Sequence, residues 1–172
     1  MKQAKALFIF LSCLLAVLSL FSQEFTYVGA QKCKICHRSE QRGKQYTLWE
    51  NSRHAKSYEV LFSDSALEEA KKQKLENLPS DSPECLKCQS PLHEKAPEII
   101  AQGVTCEVCH GPGSAYKKIS IMKNKDMATK NGLAAYESVD AIKTQCFTCH
   151  DANTFDFDSS WEKIKHSIPS RG

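Results

Sequence analysis

Long apolar runs are absent from this chain after residue 22. The run from Ala6 to Phe21 follows Lys2 and Lys5 at the extreme N-terminus. A basic start before an apolar stretch too short for a comfortable membrane span is typical of a secretory signal peptide. We therefore expect residues 1–22 to be a signal peptide and residues 23–172 to form one periplasmic or otherwise exported domain. Membrane association is expected only if the N-terminal segment stays uncleaved.

The chain also lacks an excess of charge of either sign. Without Lys2 and Lys5, the predicted mature chain has 23 − 2 = 21 basic residues against 20 acidic ones. No block of like charges and no low-complexity tract follows the signal. Because a nucleic-acid-binding domain usually carries a basic patch, we expect no nucleic-acid partner.

Cysteine, in contrast, is abundant and regularly spaced. The chain has nine cysteines, and setting aside Cys13 in the predicted signal leaves eight. These form four Cys-x-x-Cys pairs: Cys33 and Cys36, Cys85 and Cys88, Cys106 and Cys109, Cys146 and Cys149. A disulfide framework would scatter its cysteines to join distant segments, so the uniform two-residue spacing argues against one.

A histidine follows three of the four pairs directly, at His37, His110 and His150, although histidine is only 6 of 172 residues. A two-residue spacer places two thiols at the separation of the haem vinyl groups, and the next histidine then lies beneath the iron as a ligand. A four-cysteine zinc or iron–sulfur site needs no such histidine. A thioredoxin-like motif would need a β-α-β pattern, which the sequence lacks. The spacing therefore predicts haem c at three motifs.

The fourth pair departs from this pattern because Gln89 follows Cys85 and Cys88. Haem could be attached there with no histidine beneath it, or with a nearby ligand such as His93. Alternatively no haem is attached, and the two thiols form a local disulfide or stay reduced. The sequence thus predicts three haems, or four if this pair carries one.

Three further histidines, His54, His93 and His166, are candidate distal ligands. Together with the three proximal histidines they would complete three six-coordinate irons. The apolar spacing of residues 44–62 predicts a helix with His54 on its buried face, and a short predicted helix around Trp161 would direct His166 inward. His93 lies in a proline-containing loop just after the fourth pair.

We expect a mainly α, loop-rich fold in which haems form much of the core, because about 150 mature residues are shared among three or four haems. Helices are predicted over residues 65–78 and from about 113 to 123, and residues 79–84 and 89–98 are predicted to be irregular. Only 21 residues separate Cys85 from Cys106, so the Gln89 site is expected close to the His110 haem.

Four segments in this order resemble the tetrahaem cytochrome c-554 family: Tyr27 to His37, Trp49 to Ala55, Gly103 to Ser114 and Cys146 to His150. The resemblance extends over about residues 27–166. It implies a periplasmic electron carrier with closely stacked haems on a helical frame, and distal ligands at His54 and His166. Gln89 stands where the family has a fourth proximal histidine.

Three functions are compatible with these features. The first is electron transfer between redox partner proteins by irons with no open position, since the sequence shows no other catalytic constellation. The second is a small-molecule redox enzyme or gas-binding protein that uses an open-site haem at Cys85 and Cys88. The third is an electron-transfer subunit of a larger oxidoreductase complex.

Overall fold

The computed structural model describes residues 24–166, so the predicted signal peptide lies outside the described residues. Within this range the chain forms short helices and no strand, which confirms the prediction of a mainly α, loop-rich fold. The α-helices are α1 Ala30–His37, α2 Gln45–Glu50, α3 Ser57–Val60, α4 Asp64–Lys72, α5 Pro83–Gln89, α6 Cys106–His110, α7 Ile119–Met122, α8 Lys125–Lys130, α9 Val139–Cys146 and α10 Phe157–Ile164. Three 3₁₀ turns, Glu40–Arg42, His54–Lys56 and Pro97–Gln102, lie between them.

Polar side chains define where several of these helices begin. In each case the side-chain oxygen of the preceding residue accepts a hydrogen bond from a backbone N–H of the first turn, an arrangement that stabilises a helix by about 1 kcal/mol. The capping residues are Ser63 for α4, Thr105 for α6, Asn124 for α8, Ser138 for α9 and Asp156 for α10. Helix α5 begins instead with Pro83, whose fixed φ suits a first helical position.

The predicted helix over residues 44–62 is interrupted. It consists of α2, a 3₁₀ turn that begins at His54, and α3. The interruption coincides with polar side chains that bond to the backbone: the Asn51 side chain donates to the Thr47 carbonyl, and the Ser52 hydroxyl donates to the Trp49 carbonyl. Such local bonds compete with helical ones. Leu61 is buried, whereas Phe62 is 63% exposed.

The other predicted helices are shorter or displaced. Helix α4 begins after Ser63 and ends at Lys72, because Lys74 adopts a left-handed conformation with φ 56°. The stretch predicted from 113 to 123 is helical only over α7. Residues 83–89, part of which was predicted to be irregular, form α5, so the fourth cysteine pair lies on a helix like the others.

The apolar interior is small for a chain of this length. Eleven apolar residues are buried within residues 24–166, and a cluster of Leu92, Ala96 and Ile99 packs with the partly buried Tyr27 and Val108. Large apolar side chains such as Ile35, which is 84% exposed, remain at the surface of the polypeptide. A core this small is expected of a fold whose interior is completed by large apolar groups such as the predicted haems.

Within residues 24–166 no helix is long and apolar enough to cross a bilayer.

Candidate haem-binding site

All four cysteine pairs lie on or at the end of a helix. Helix α1 ends at His37, α6 runs from Cys106 to His110, and α9 ends at Cys146 with His150 in the following turn. Side chains three residues apart share one face of a helix, so the two thiols of each pair are presented together. Local helical structure therefore supplies the geometry that the motif requires.

Four of the six histidines face one another in two pairs. The ring centroids of His110 and His166 are 5.8 Å apart with the planes 20° from parallel, and those of His54 and His150 are 6.2 Å apart at 43°. Two metal–imidazole bonds of about 2 Å, together with the half-width of each ring, give a separation near 6 Å. The pairs are thus spaced for one metal ion between the rings of each.

One of these histidines, His150, also stacks directly on an aromatic ring at a shorter distance. The Phe155 ring lies on that of His150 with centroids 4.1 Å apart and planes only 14° from parallel. This contact fixes the plane of His150 from one side. The rings of His150 and His54, with centroids 6.2 Å apart, are therefore too far apart to be in direct stacking contact like His150 and Phe155.

The surroundings of His110 and His54 favour the neutral form of these two side chains. Burial, together with neighbouring His166 and His37, lowers the pKa of His110 to about 4. Burial also lowers the pKa of His54, with a smaller effect from His150. A neutral imidazole has a free nitrogen lone pair at neutral pH, as an iron ligand requires.

His37 and His93 are each held through Nδ1. The Nδ1 atom of His37 lies 3.2 Å from Oε1 of Gln45, and that of His93 lies 3.1 Å from the carbonyl oxygen of Ser90. When Nδ1–H donates to such an acceptor, Nε2 is left as the ligand atom, which is the usual arrangement of metal-binding histidines. His37 is therefore suited to bind iron through Nε2, whereas Nε2 of His93 lies 3.9 Å from Oε1 of Glu94.

The cysteine motifs contact one another in a definite order. The thiols of Cys33 and Cys106 lie close enough to shift each other's pKa, so the first motif adjoins the third. Burial raises the pKa of the Cys109 thiol to about 11, with further effects from nearby Cys146 and Cys149, so the third motif adjoins the last. Attachment points this close would hold the attached groups side by side.

Part of the chain is similar in sequence to known cytochromes. A family model described as "Cytochrome c554 and c-prime" matches residues 32–111, which include the first three cysteine pairs. A curated relative, cytochrome c-554 of Nitrosomonas europaea, is 27% identical over 100 residues. The chain is therefore similar to c-type cytochromes of the c-554 family over these residues, as its motifs predicted.

The extent of these matches is limited. The alignment to the Nitrosomonas protein covers 53% of this chain and 40% of the relative. No solved structure matches this chain significantly. Within residues 24–166 the chain has no group of three or more His, Cys, Asp or Glu side chains placed to hold a bare metal ion. Paired histidines beside paired thiols fit haem iron, because the porphyrin supplies the remaining ligands.

The Cys85 and Cys88 pair has different surroundings. Its thiols border a cavity of about 290 Å³ between α3, α4 and α5. The residues around this cavity include Val60, Leu61, Ala66, Pro79 and Gln89, and none of those described is a histidine. His93 lies on the side of α5 that presents Pro83 and Lys87. These thiols therefore border a cavity whose described lining contains no imidazole.

The near neighbour of this pair is the last motif. The Cys149 thiol donates to the Lys87 carbonyl oxygen at 3.9 Å, and nearby Cys149 helps burial to raise the pKa of the Cys88 thiol. Chain reversals between α5 and α9 bring these two motifs together, and the sequence shows no periodicity that would reveal them. The predicted closeness of the Gln89 site to the His110 haem stays a prediction.

One residue of the site was not identified from the sequence. Glu107 lies inside the Cys106–Cys109 motif, is only 1% exposed, and accepts backbone hydrogen bonds from the segment that precedes α1. Within a Cys-x-x-Cys-His motif the two intervening positions carry no fixed chemistry, so nothing marked Glu107 as buried. A charged residue directly before the apolar Val108 was the only signal.

Proposed function

We propose that the chain is an exported, periplasmic electron carrier with three covalently attached haems, whose domain spans residues 23–172. The attachment sites are Cys33 with Cys36, Cys106 with Cys109, and Cys146 with Cys149. His37, His110 and His150 bind the irons from the proximal side. Haem iron supplies the one-electron chemistry, and redox partner proteins deliver and remove the electrons.

The observation that carries this proposal is the facing of His110 with His166 and of His54 with His150 at 5.8 and 6.2 Å. An iron held between two imidazoles has no open position, so it passes electrons and does not bind small molecules. By count, His93 is left as the second ligand for the His37 iron. Its Nδ1 contacts the Ser90 carbonyl, and its Nε2, which now lies 3.9 Å from Oε1 of the exposed Glu94, would exchange that contact for the iron.

The contacts among the motifs support a linear order of the three sites. Cys33 meets Cys106, and Cys109 lies near Cys146 and Cys149. The third site is therefore central, with the first and last sites on either side of it. An electron that enters at one end can reach the other through the middle site without crossing a wide gap.

Spectroscopy of the purified cytochrome tests the carrier function. The ferric protein is expected to show low-spin signals for every haem, and the ferrous protein should leave carbon monoxide unbound. The reason is that two imidazoles give a strong ligand field and leave no vacant position. A dominant high-spin population that binds carbon monoxide would contradict the proposal.

A second function rests on the cavity of about 290 Å³ beside Cys85 and Cys88. If haem were attached there, Gln89 would stand in the proximal position, and the iron would have an open face for a small molecule. The absence of any histidine among the described cavity residues favours the carrier with three haems. A single high-spin haem in an otherwise low-spin protein would favour this alternative.

A further inference from the structure

The backbone around Glu107 converges on its carboxylate. The N–H of Val28 lies 3.0 Å from each carboxylate oxygen, that of Gly29 lies 2.7 Å from Oε2, and that of Gly113 lies 2.6 Å from Oε1. Both oxygens act only as acceptors here, which is the behaviour of an ionised carboxylate. Hydrogen bonds to an ionised acceptor are about twice as strong as neutral ones.

These contacts join two haem-attachment motifs. Gly29 is the residue before α1, the helix that carries Cys33, and Glu107 itself lies in the motif of Cys106. The thiols of Cys33 and Cys106 meet beside this junction. A negative charge at the start of α1 is also favourable because the N-terminus of a helix carries a partial positive charge. Glu107 thus fixes the first motif against the third.

Glycines make this close approach possible. Gly29 has φ 81°, a conformation that side-chain-bearing residues rarely adopt. A Cβ atom at Gly113 would lie 2.9 Å from Oε1 of Glu107. The pocket around the carboxylate is therefore shaped by the backbone for this one group.

Among the residues that the structure describes, no cationic side chain forms an ion pair with Glu107, although Lys117 acts on Cys33 with the opposite sign. The ion pairs found within residues 24–166 lie elsewhere in the molecule. Glu107 interacts electrostatically with both Cys33 and Cys106. A buried charge is poorly screened by solvent and salt, so its field acts on any neighbouring redox centre.

We propose that Glu107 is a positioning residue that fixes the spacing of the first and third haem sites, and that its buried charge lowers the reduction potentials of the irons bound there. This inference rests on the proposed attachment of haem at those two motifs. Ferric haem carries one more positive charge than ferrous haem. A fixed negative charge nearby therefore stabilises the ferric form, which lowers the potential.

The test compares Glu107→Gln with Glu107→Asp in the matured cytochrome, using spectroelectrochemical titration. Gln removes the charge at nearly constant volume, whereas Asp keeps the charge on a shorter side chain. Glu98→Gln is the matched control because Glu98 is exposed and makes none of these contacts. We expect Glu107→Gln to shift two of the resolved potentials upward. Glu107→Asp and Glu98→Gln should leave all of them close to those of the unaltered protein.

Glu107→Gln could also disturb maturation, because its amide N–H₂ would face backbone donors. Loss of haem in this variant with normal haem attachment in Glu107→Asp would support the proposal, since the charge is then what the junction requires. The proposal is overturned if Glu107→Gln matures with unchanged potentials, or if neither variant matures. Haem counting on the unaltered protein separates these outcomes from a failure of the proposed function, because it shows independently how many motifs carry haem.

Discussion

Helices α5 and α6 present the same pair of thiols on a single helical turn, but they end differently. Helix α6 ends at His110, whose ring faces His166 at 5.8 Å. Helix α5 ends at Gln89, which borders a cavity of about 290 Å³. The spacing of the thiols is therefore a property of the helix alone. Whether an iron is held there depends on the residue that follows and on what faces it.

The two helices also differ in how they are anchored. Thr105 caps α6 through a hydrogen bond to the Glu107 N–H, and the Glu107 side chain joins α6 to the segment before α1. No side-chain cap precedes α5, where the Ser82 hydroxyl donates to Glu84 instead. A buried carboxylate thus connects the motif on α6 to a distant segment. The motif on α5 has other long-range contacts, because the Ser57 hydroxyl donates to the Gln89 carbonyl and the Cys149 thiol lies near the Lys87 carbonyl.

The largest effect is expected when the histidine that ends α6 is replaced by glutamine, the residue that ends α5. We expect His110→Gln to lose one haem, because the attached iron would have no proximal imidazole and maturation generally depends on that histidine. Intact-mass measurement of the purified protein should show one haem fewer. Because the third site is central, the melting temperature should also fall. An unchanged haem mass would contradict the assigned role of His110.

The converse change replaces the glutamine that ends α5 by histidine, the residue that ends α6. We expect Gln89→His to add one haem, since the thiols of Cys85 and Cys88 already share a helical face beside a cavity. Intact mass should rise by one haem. Gln89→Asn serves as the control because it changes the same position without adding an imidazole. If the mass stayed constant in both variants, something other than the missing histidine would prevent attachment.

A smaller effect is expected at the distal side of the third site. His166→Ala should keep all haems attached but convert one from low spin to high spin, because His110 alone would then hold that iron. The reduced variant should bind one equivalent of carbon monoxide. His54→Ala is the matched variant at the last site and should behave alike. A fully low-spin spectrum in both would mean that the facing histidines do not bind iron.

The smallest effect is expected at the altered pair itself. Replacing Cys85 and Cys88 together by Ser should leave the haem mass and the low-spin spectrum unchanged. Thermal or denaturant unfolding should detect a change of about 1 kcal/mol or less, because these residues are only partly buried. The loss of one haem in this double variant would show that the pair carries haem after all.

Much of the site could be predicted because its chemistry is local in sequence. The Cys-x-x-Cys-His motifs, the family, and the mainly α fold follow from residues that are adjacent along the chain. His54 and His166 were also identified in advance as candidate distal ligands, although their pairing with His150 and His110 was not. Pairing depends on how short helices pack, and no periodic pattern records that packing.

The features that the sequence did not predict are non-local or depend on single backbone conformations. The interruption of residues 44–62 arises from side-chain bonds of Asn51 and Ser52. The meeting of Cys88 with Cys149 and the burial of Glu107 both bring together segments more than 60 residues apart. Helix propensity carries no information about such contacts.

Intact-mass haem counting of the purified, unaltered protein tests the central claim most directly, since each attached haem adds a fixed mass to the polypeptide. The account predicts a mass for three haems, with the thiols of Cys85 and Cys88 free or joined to each other. Alkylation before and after chemical reduction would distinguish these two states of the thiols. A mass for four haems, or for fewer than three, would contradict the account.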